Sequence, residues 1–184
     1  MHTAGIFTSS IEAGYKHEAD KIEQVMQNFD FDGASYRIYT WINGGKAQTF
    51  NAKLSLEWKV GTLRAAISGK YNYFTGTTND GQVTRNSDYS IDGEASYRVS
   101  SWTFMLKGRY RSKIIRTYQS ITEIVGCDVR IDKDFKHLGL FADCRDLLDK
   151  PVMLTTLSKD RTEGRVERSV GNNRIFLFGV KYKF

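Results

Sequence analysis

Apolar and polar residues alternate with period two along almost the whole chain. From Phe50 to Val60 the even positions read Phe50, Ala52, Leu54, Leu56, Trp58 and Val60. The odd positions between them read Asn51, Lys53, Ser55, Glu57 and Lys59. The phase flips after Gly61, so that Leu63, Ala65, Ile67, Gly69, Tyr71 and Tyr73 oppose Arg64, Ala66, Ser68, Lys70 and Asn72. Tyr89, Ile91, Gly93, Ala95, Tyr97 and Val99 then alternate with Ser90, Asp92, Glu94, Ser96 and Arg98. Trp102, Phe104, Leu106, Gly108 and Tyr110 alternate with Thr103, Met105, Lys107, Arg109 and Arg111.

This spacing predicts nine strands, at residues 4–17, 20–30, 46–60, 62–76, 86–99, 102–115, 119–132, 137–148 and 173–184. Several run to about a dozen residues, whereas soluble strands are usually about 5–6 long. A tilted strand that crosses a bilayer needs about 9–11. The stretch "DKIEQVMQN" is the one candidate for a short helix, and its neighbours and length favour a strand. Short connections are expected near 18–19, 61, 100–101 and 133–136. Long ones are expected at 31–45, 77–85 and 149–172, with a shorter turn near 116–118. The predicted fold is therefore all-β: an antiparallel up-and-down transmembrane β-barrel segment, with short periplasmic turns and longer extracellular loops.

One hairpin sets its own register. With Ser100 and Ser101 in a two-residue turn, Val99 faces Trp102, Tyr97 faces Phe104, Ala95 faces Leu106 and Gly93 faces Gly108. On the other face Glu94 then meets Lys107 and Asp92 meets Arg109. Apolar pairs and opposite charges fall into place together, which cross-strand packing rewards.

Aromatic residues gather near strand ends. Tyr15, Trp58, Tyr97, Trp102, Tyr182 and Phe184 are expected at the short-turn side. Tyr71, Tyr73, Tyr89, Tyr110 and Phe176 are expected at the long-loop side. Two such belts with aliphatic residues between them fit the girdles of a barrel in a bilayer.

Composition agrees with this picture and adds little to it. The chain has 184 residues, 40% of them hydrophobic and 26% charged, which is too apolar for disorder. The net charge is +6, a weak pointer to anionic partners by itself. No run of about 18 apolar residues occurs, and "MHTAGIFTSS" lacks the basic and apolar regions of a signal peptide.

Candidate chemistry is sparse. The histidines are His2, His17 and His137, and the latter two are expected at periplasmic turns, away from the long loops. No nucleophile, base and orienter stand in a recognisable pattern, so no enzyme and no cofactor is expected. Cys127 and Cys144 fall on adjacent strands, both on the apolar face. A register that pairs Asp128 with Arg145 and Arg130 with Asp143 keeps them apart, as free thiols. No Cys/His cluster has zinc spacing, and nothing points to nucleic acid. The polar face carries Lys53, Lys59, Arg64, Lys70, Arg98, Lys107, Arg109, Arg111, Arg130, Lys181 and Lys183 against Glu57, Asp92, Glu94 and Asp128. An unpaired excess of that kind would favour anionic solutes or an acidic plug surface. The expectation is that these charges pair and hydrate. Glu94, Lys107, Asp92, Arg109, Arg64 and Lys181 are expected to face a lumen, and Phe176, Phe178, Val180, Tyr182 and Phe184 to face lipid. The stretches "TGTTNDGQVTRN" and "DKPVMLTTLSKDRTEGRVERSVGNN" are polar, Gly-containing loops.

The closing "FLFGVKYKF", with its terminal Phe184, resembles the C-terminal signature by which outer-membrane barrels are recognised for assembly. The stretches "YTWINGGKAQTFNAKLSLEWKVGTLRAAISGKYNY" and "LGLFADCRDLLDK" are similar to the C-terminal barrel half of TonB-dependent receptors, above all the Bacteroidetes-type outer-membrane β-barrel family. Asp146-Leu147-Leu148-Asp149 stands where that family has an Asn-Leu-Phe-Asn/Asp-like motif, with Asp for Asn and Leu for Phe. The resemblance spans nearly all of 1–184, a single barrel segment. It implies nutrient or chelate uptake across the outer membrane by a barrel of about twenty-two strands around a plug. Implied partners are lipid, the barrel-assembly machinery, a plug domain and the remaining strands. The chain departs from the family pattern in having no plug, no TonB-contacting segment and no signal peptide. Nine strands with residue 184 in the periplasm would put residue 4 outside, an odd parity that suggests a fragment. The alternatives are a small self-contained barrel with a structural or adhesive role, and a soluble lipocalin-like lipid-binding barrel.

Overall fold

The computed structural model describes residues 5–79, 81–156, 166–170 and 174–182. Fourteen strands follow one another: β1 (Ile6–Glu18), β2 (Ile22–Phe31), β3 (Ala34–Asn43), β4 (Lys46–Val60), β5 (Leu63–Thr77), β6 (Val83–Val99) and β7 (Trp102–Arg111), then β8 (Ile114–Ile115), β9 (Gln119–Ile121), β10 (Ile124–Asp134), β11 (Leu138–Arg145), β12 (Val152–Thr156), β13 (Val166–Val170) and β14 (Ile175–Tyr182). No helix occurs among the described residues. Eight strands make one sheet, in the order β1-β4-β5-β6-β7-β10-β11-β14, and every pairing in it is antiparallel. This is an up-and-down wall. At one end its strands are joined by brief turns at 61–62, 100–101 and 135–137. At the other end three of the four connections carry small sheets of their own, β2-β3 and β13-β12-β9-β8.

The wall register follows side-chain alternation. Val99 pairs with Trp102, Tyr97 with Phe104 and Ala95 with Leu106, while Glu94 faces Lys107 and Asp92 faces Arg109, as the sequence predicts. Ser100 takes a left-handed φ of 53° to close that turn. Between β10 and β11, Arg130 pairs with Asp143 and Val129 with Cys144. Cys127 and Cys144 are therefore offset, and both are free.

One expected wall strand is not in the wall. Residues 20–30 were expected beside the first strand and 31–45 as a loop. Instead β2 pairs with β3, and β1 pairs with β4 along its whole length, from Ile6–Lys59 to Glu18–Ala47. The cause is a two-residue turn. Asp32 (φ 48°) and Gly33 (φ 75°) are both left-handed, as a type I′ hairpin requires. This tight turn folds β2 back onto β3 and carries both out of the wall. Two placements change with it. Tyr15 pairs with Phe50 and His17 with Gln48, so both lie at the long-loop end and not at a periplasmic turn. Ile6 and Tyr182 lie at the same end of the wall, which removes the odd parity.

The two faces differ as the alternation demands. The apolar side chains point away from the wall and are exposed, Ile11 at 80% and Phe178 at 78%. Their aromatics recur at a fixed interval. Phe7 and Tyr15, Phe50 and Trp58, Tyr89 and Tyr97, and Trp102 and Tyr110 are each eight residues apart. At about 3.3 Å per residue that interval is about 26 Å along a strand, close to the ~25 Å apolar band of an outer-membrane barrel once tilt is allowed for. Trp102 stacks on Phe104 at one end, and Tyr89 lies against Tyr110 at the other.

The β1–β4 pairing is open to a crosslinking test. Cysteines at Ser10 and Ser55, which are directly paired, should form a disulfide in a Cys127→Ser, Cys144→Ser background. A shifted band on a non-reducing gel is expected. Crosslinking of Ser10→Cys to Gln27→Cys, its partner across a turn at 18–19, would in its place return β2 to the wall.

Candidate functional site

The polar face is the concave one. Side chains from six neighbouring strands, β1 through β10, line a single cavity of about 480 Å³ on it, among them Ser10, Ser55, Asp92, Glu94, Lys107 and Arg109. A second cavity of about 730 Å³ continues across β7 to β14, past Asp132, Asp143 and Lys181. Five of the six residues expected on a common polar face, Asp92, Glu94, Lys107, Arg109 and Lys181, line these cavities. Arg64 lies on it too, bonded to Glu57 at 2.9 Å.

Charges on this face are paired in a ladder around the wall. Lys107 lies 3.5 Å from Glu94, Arg109 3.9 Å from Asp128, and Lys53 3.8 Å from Glu12. Arg130 donates to both carboxylate oxygens of Asp132 at 2.8 Å, and Lys181 donates to the same carboxylate at 3.0 Å. Arg145 donates to Asp143 at 3.1 Å. The Phe141 ring lies between Arg130 (4.5 Å) and Lys181 (5.4 Å), over Gly179, which has no side chain to obstruct it. The sequence count of eleven cations to four anions omitted Glu12, Asp132, Asp134 and Asp143. All four fall on this face and each meets a cation, so the expected pairing holds and most of the positive excess is neutralised. Exposed pairs of this kind contribute about 0–1 kcal/mol each, so the ladder sets register and wetness more than stability.

The long-loop end is built differently. The buried apolar residues described, Val25, Met26, Ala47, Phe74, Tyr118 and Val152, all collect there. They come from β2, β4, β5, the β8–β9 turn and β12, and they form a cap across that end of the concave face. The β8–β9 hairpin folds inward over the wall. Its tip is a turn in which the Arg116 N–H donates to the Gln119 carbonyl, and Thr117 and Tyr118 are buried. The Arg116 guanidinium lies 4.7 Å from the centre of the Phe74 ring, and the Lys21 ammonium 5.4 Å from it. Arg116 also donates to Asp88 at 3.1 Å, and Asn72 donates to the same carboxylate at 2.7 Å. Asp88 is only 2% exposed, so its charge depends on these two donors. Removing Arg116 would leave a buried, half-satisfied carboxylate.

Sequence reasoning did not find this cap. Phe74, Asp88 and Arg116 are scattered, and their meeting depends on a loop folding inward. One local signal was available. Gly76 sits where a Cβ would stand 2.6 Å from Thr117 Oγ1 and 2.8 Å from the Phe74 ring, so only glycine lets the hairpin tip come down onto β5. Val170 and the other β13 residues contribute backbone pairing to β12. Lys183 and Phe184, expected on opposite faces of the last strand, lie outside the described residues, as does most of the loop at 157–173.

Gly76→Val should therefore lift the β8–β9 tip without opening the wall. Trypsin should cut at Arg116 at least several-fold faster in the variant, while the gel shift on heating that reports a folded wall is retained. Equal cleavage of variant and parent would mean that the tip is not held by this contact.

A family model described as the outer membrane protein beta-barrel family matches residues 2–182. No curated protein and no solved structure matches the chain. The match covers the whole wall, and the wall has what a bilayer asks of such a family: long antiparallel strands, an apolar outer face between aromatic belts, and a wet concave face. The chain belongs to the outer membrane protein beta-barrel family.

Proposed function

We propose that the chain is a wall segment of a TonB-dependent-type uptake barrel, which takes a nutrient or a chelate across the outer membrane. One observation carries this reading: a charge-lined concave face with a packed cluster of buried residues, the cap, at its long-loop end. A passive pore needs no cap. A receptor that admits one bound solute at a time must keep its mouth shut in between. In this reading Asp92, Glu94, Arg64, Lys107, Arg109 and Lys181 face the lumen, and Phe176, Phe178, Val180 and Tyr182 face lipid. The cap and long loops are extracellular, and the short turns are periplasmic. The assembly machinery reads the last strand, a plug and further strands complete the barrel, and no chemistry is catalysed.

A small self-contained barrel with a structural or adhesive role is the second reading. The even number of wall strands favours it, with β1 leaving the short-turn end and β14 returning to it. A lipocalin-like lipid binder needs an apolar concave face, and here that face is charged.

Two experiments separate these readings. In liposomes, Ser55→Cys and Ser68→Cys should react with a water-soluble maleimide in the Cys127→Ser, Cys144→Ser background, and Leu54→Cys and Ile67→Cys should not. The reverse pattern would invert the wall. In planar bilayers the protein should conduct little at rest, and Arg116→Ala should raise conductance several-fold. A freely conducting parent would make it a passive pore, and silence in both would favour the structural role.

A further inference from the structure

We infer that the cavity directly beneath the cap binds a small zwitterion, an amino acid or short peptide, with Arg111 taking its carboxylate and Asp92 its ammonium group. The inference rests on the reading of the concave face as a lumen and names what that lumen recognises.

The argument begins with the exceptions to the charge ladder. Nearly every ionic group that alternation puts on the polar face of the wall has an opposite charge within 4.0 Å. Among the described residues the exceptions are Lys70, Asp92 and Arg111. Two of these three, one of each sign, line the same cavity of about 340 Å³, together with Ser90, Arg109, Ile124 and Val152. Small-ligand sites run from about 300 to 1,000 Å³.

The register explains why this pair is left over. Asp92 is directly opposite Arg109, its expected partner. The Arg109 guanidinium turns the other way, to Asp128 on β10 at 3.9 Å. Arg111 is directly opposite Ser90, which offers a hydroxyl and no charge. Asp92 and Arg111 are thus diagonal neighbours on β6 and β7, a relation that sets backbones about 7–8 Å apart. They do not bond each other, and the space between them is open to a molecule that brings both charges. A guanidinium holds a carboxylate through two parallel hydrogen bonds, and a carboxylate holds an ammonium group well. Ile124 and Val152 supply an apolar wall for the ligand's side chain.

Val152 also belongs to the core of the cap. A ligand in this cavity therefore touches the cap from below, at a residue that helps hold it closed.

The test uses the full chain refolded in detergent micelles and radiolabelled alanyl-alanine in equilibrium dialysis. The dipeptide should bind, and Arg111→Gln and Asp92→Asn should each weaken it about tenfold, the loss expected for one charge-assisted hydrogen bond. N-acetylated dipeptide should be indifferent to Asp92→Asn, and the C-terminal amide indifferent to Arg111→Gln. Gel shifts on heating must match across all forms. Failure to bind at millimolar dipeptide, or binding that ignores both substitutions, overturns the site. So does inorganic phosphate binding as tightly as the dipeptide and tightening further in Asp92→Asn, which would mark a plain anion site. A negative result while Ser55→Cys still labels from water removes the zwitterion site and leaves the lumen standing. Loss of that labelling removes both.

Discussion

A strand in hydrocarbon has no water to satisfy its backbone, so its N–H and C=O groups must be met by the strands beside it. The rest of the wall follows from this constraint. It requires strands long enough to cross, which is why β4, β5 and β6 run to 15, 15 and 17 residues. It favours pairing with the next available strand in sequence, which gives an antiparallel meander. Once the backbone is committed to the ladder, side chains have two destinations, lipid or lumen, and the chain must alternate to serve both.

Wall and cap obey opposite rules. In the wall the large apolar residues are outermost, and the charged ones pair directly with one another on the opposite face, in the ladder of Lys107–Glu94, Arg109–Asp128 and Arg130–Asp132. In the cap the order of a water-soluble protein returns, with Val25, Met26 and Phe74 inside. The two regimes meet on β5. Tyr71 and Tyr73 close the apolar band on its outer face, while Phe74 begins the cap on its inner one. The Arg116–Asp88 bond lies at this junction and ties the inward hairpin to β6. A change there acts on the cap, because wall pairing at that level rests on backbone ladders that the hairpin does not supply.

What the sequence reveals follows the same division. Wall strands are legible because alternation is enforced along their whole length by two solvents. The Val99–Trp102 hairpin could be registered to the residue because its apolar and ionic pairs agree. The offset of Cys127 and Cys144 was legible from charge too, since the register puts Arg130 opposite Asp143, although their side chains bond Asp132 and Arg145. The β2–β3 hairpin was missed although Asp32-Gly33 is a strong turn signal, because "KIEQVMQNFDF" alternates well enough to pass for wall. Alternation says that a segment is a strand but not which strand it will pair with. The cap was missed because non-local packing of a few buried residues leaves no period to read. The unpaired Asp92 and Arg111 are a further step removed, since they become visible only after every other charge has been assigned a partner.

The misplaced hairpin also changes what can complete the wall. With β2 counted in the wall, the strand total is odd and the two edges run in the same direction. With β2 and β3 carried outside, β1 leads away from the short-turn end and β14 returns to it. No ladder joins them among the described residues, yet both edges lie at bilayer depth and both must be paired. Because they run in opposite directions, β1 and β14 can pair with each other directly, as in a small closed barrel. An antiparallel insertion between them must contain an even number of strands, as in a larger one. Two left-handed residues, Asp32 and Gly33, thus fix the parity of the strands that can complete the wall, by deciding that one amphipathic strand stays out of it.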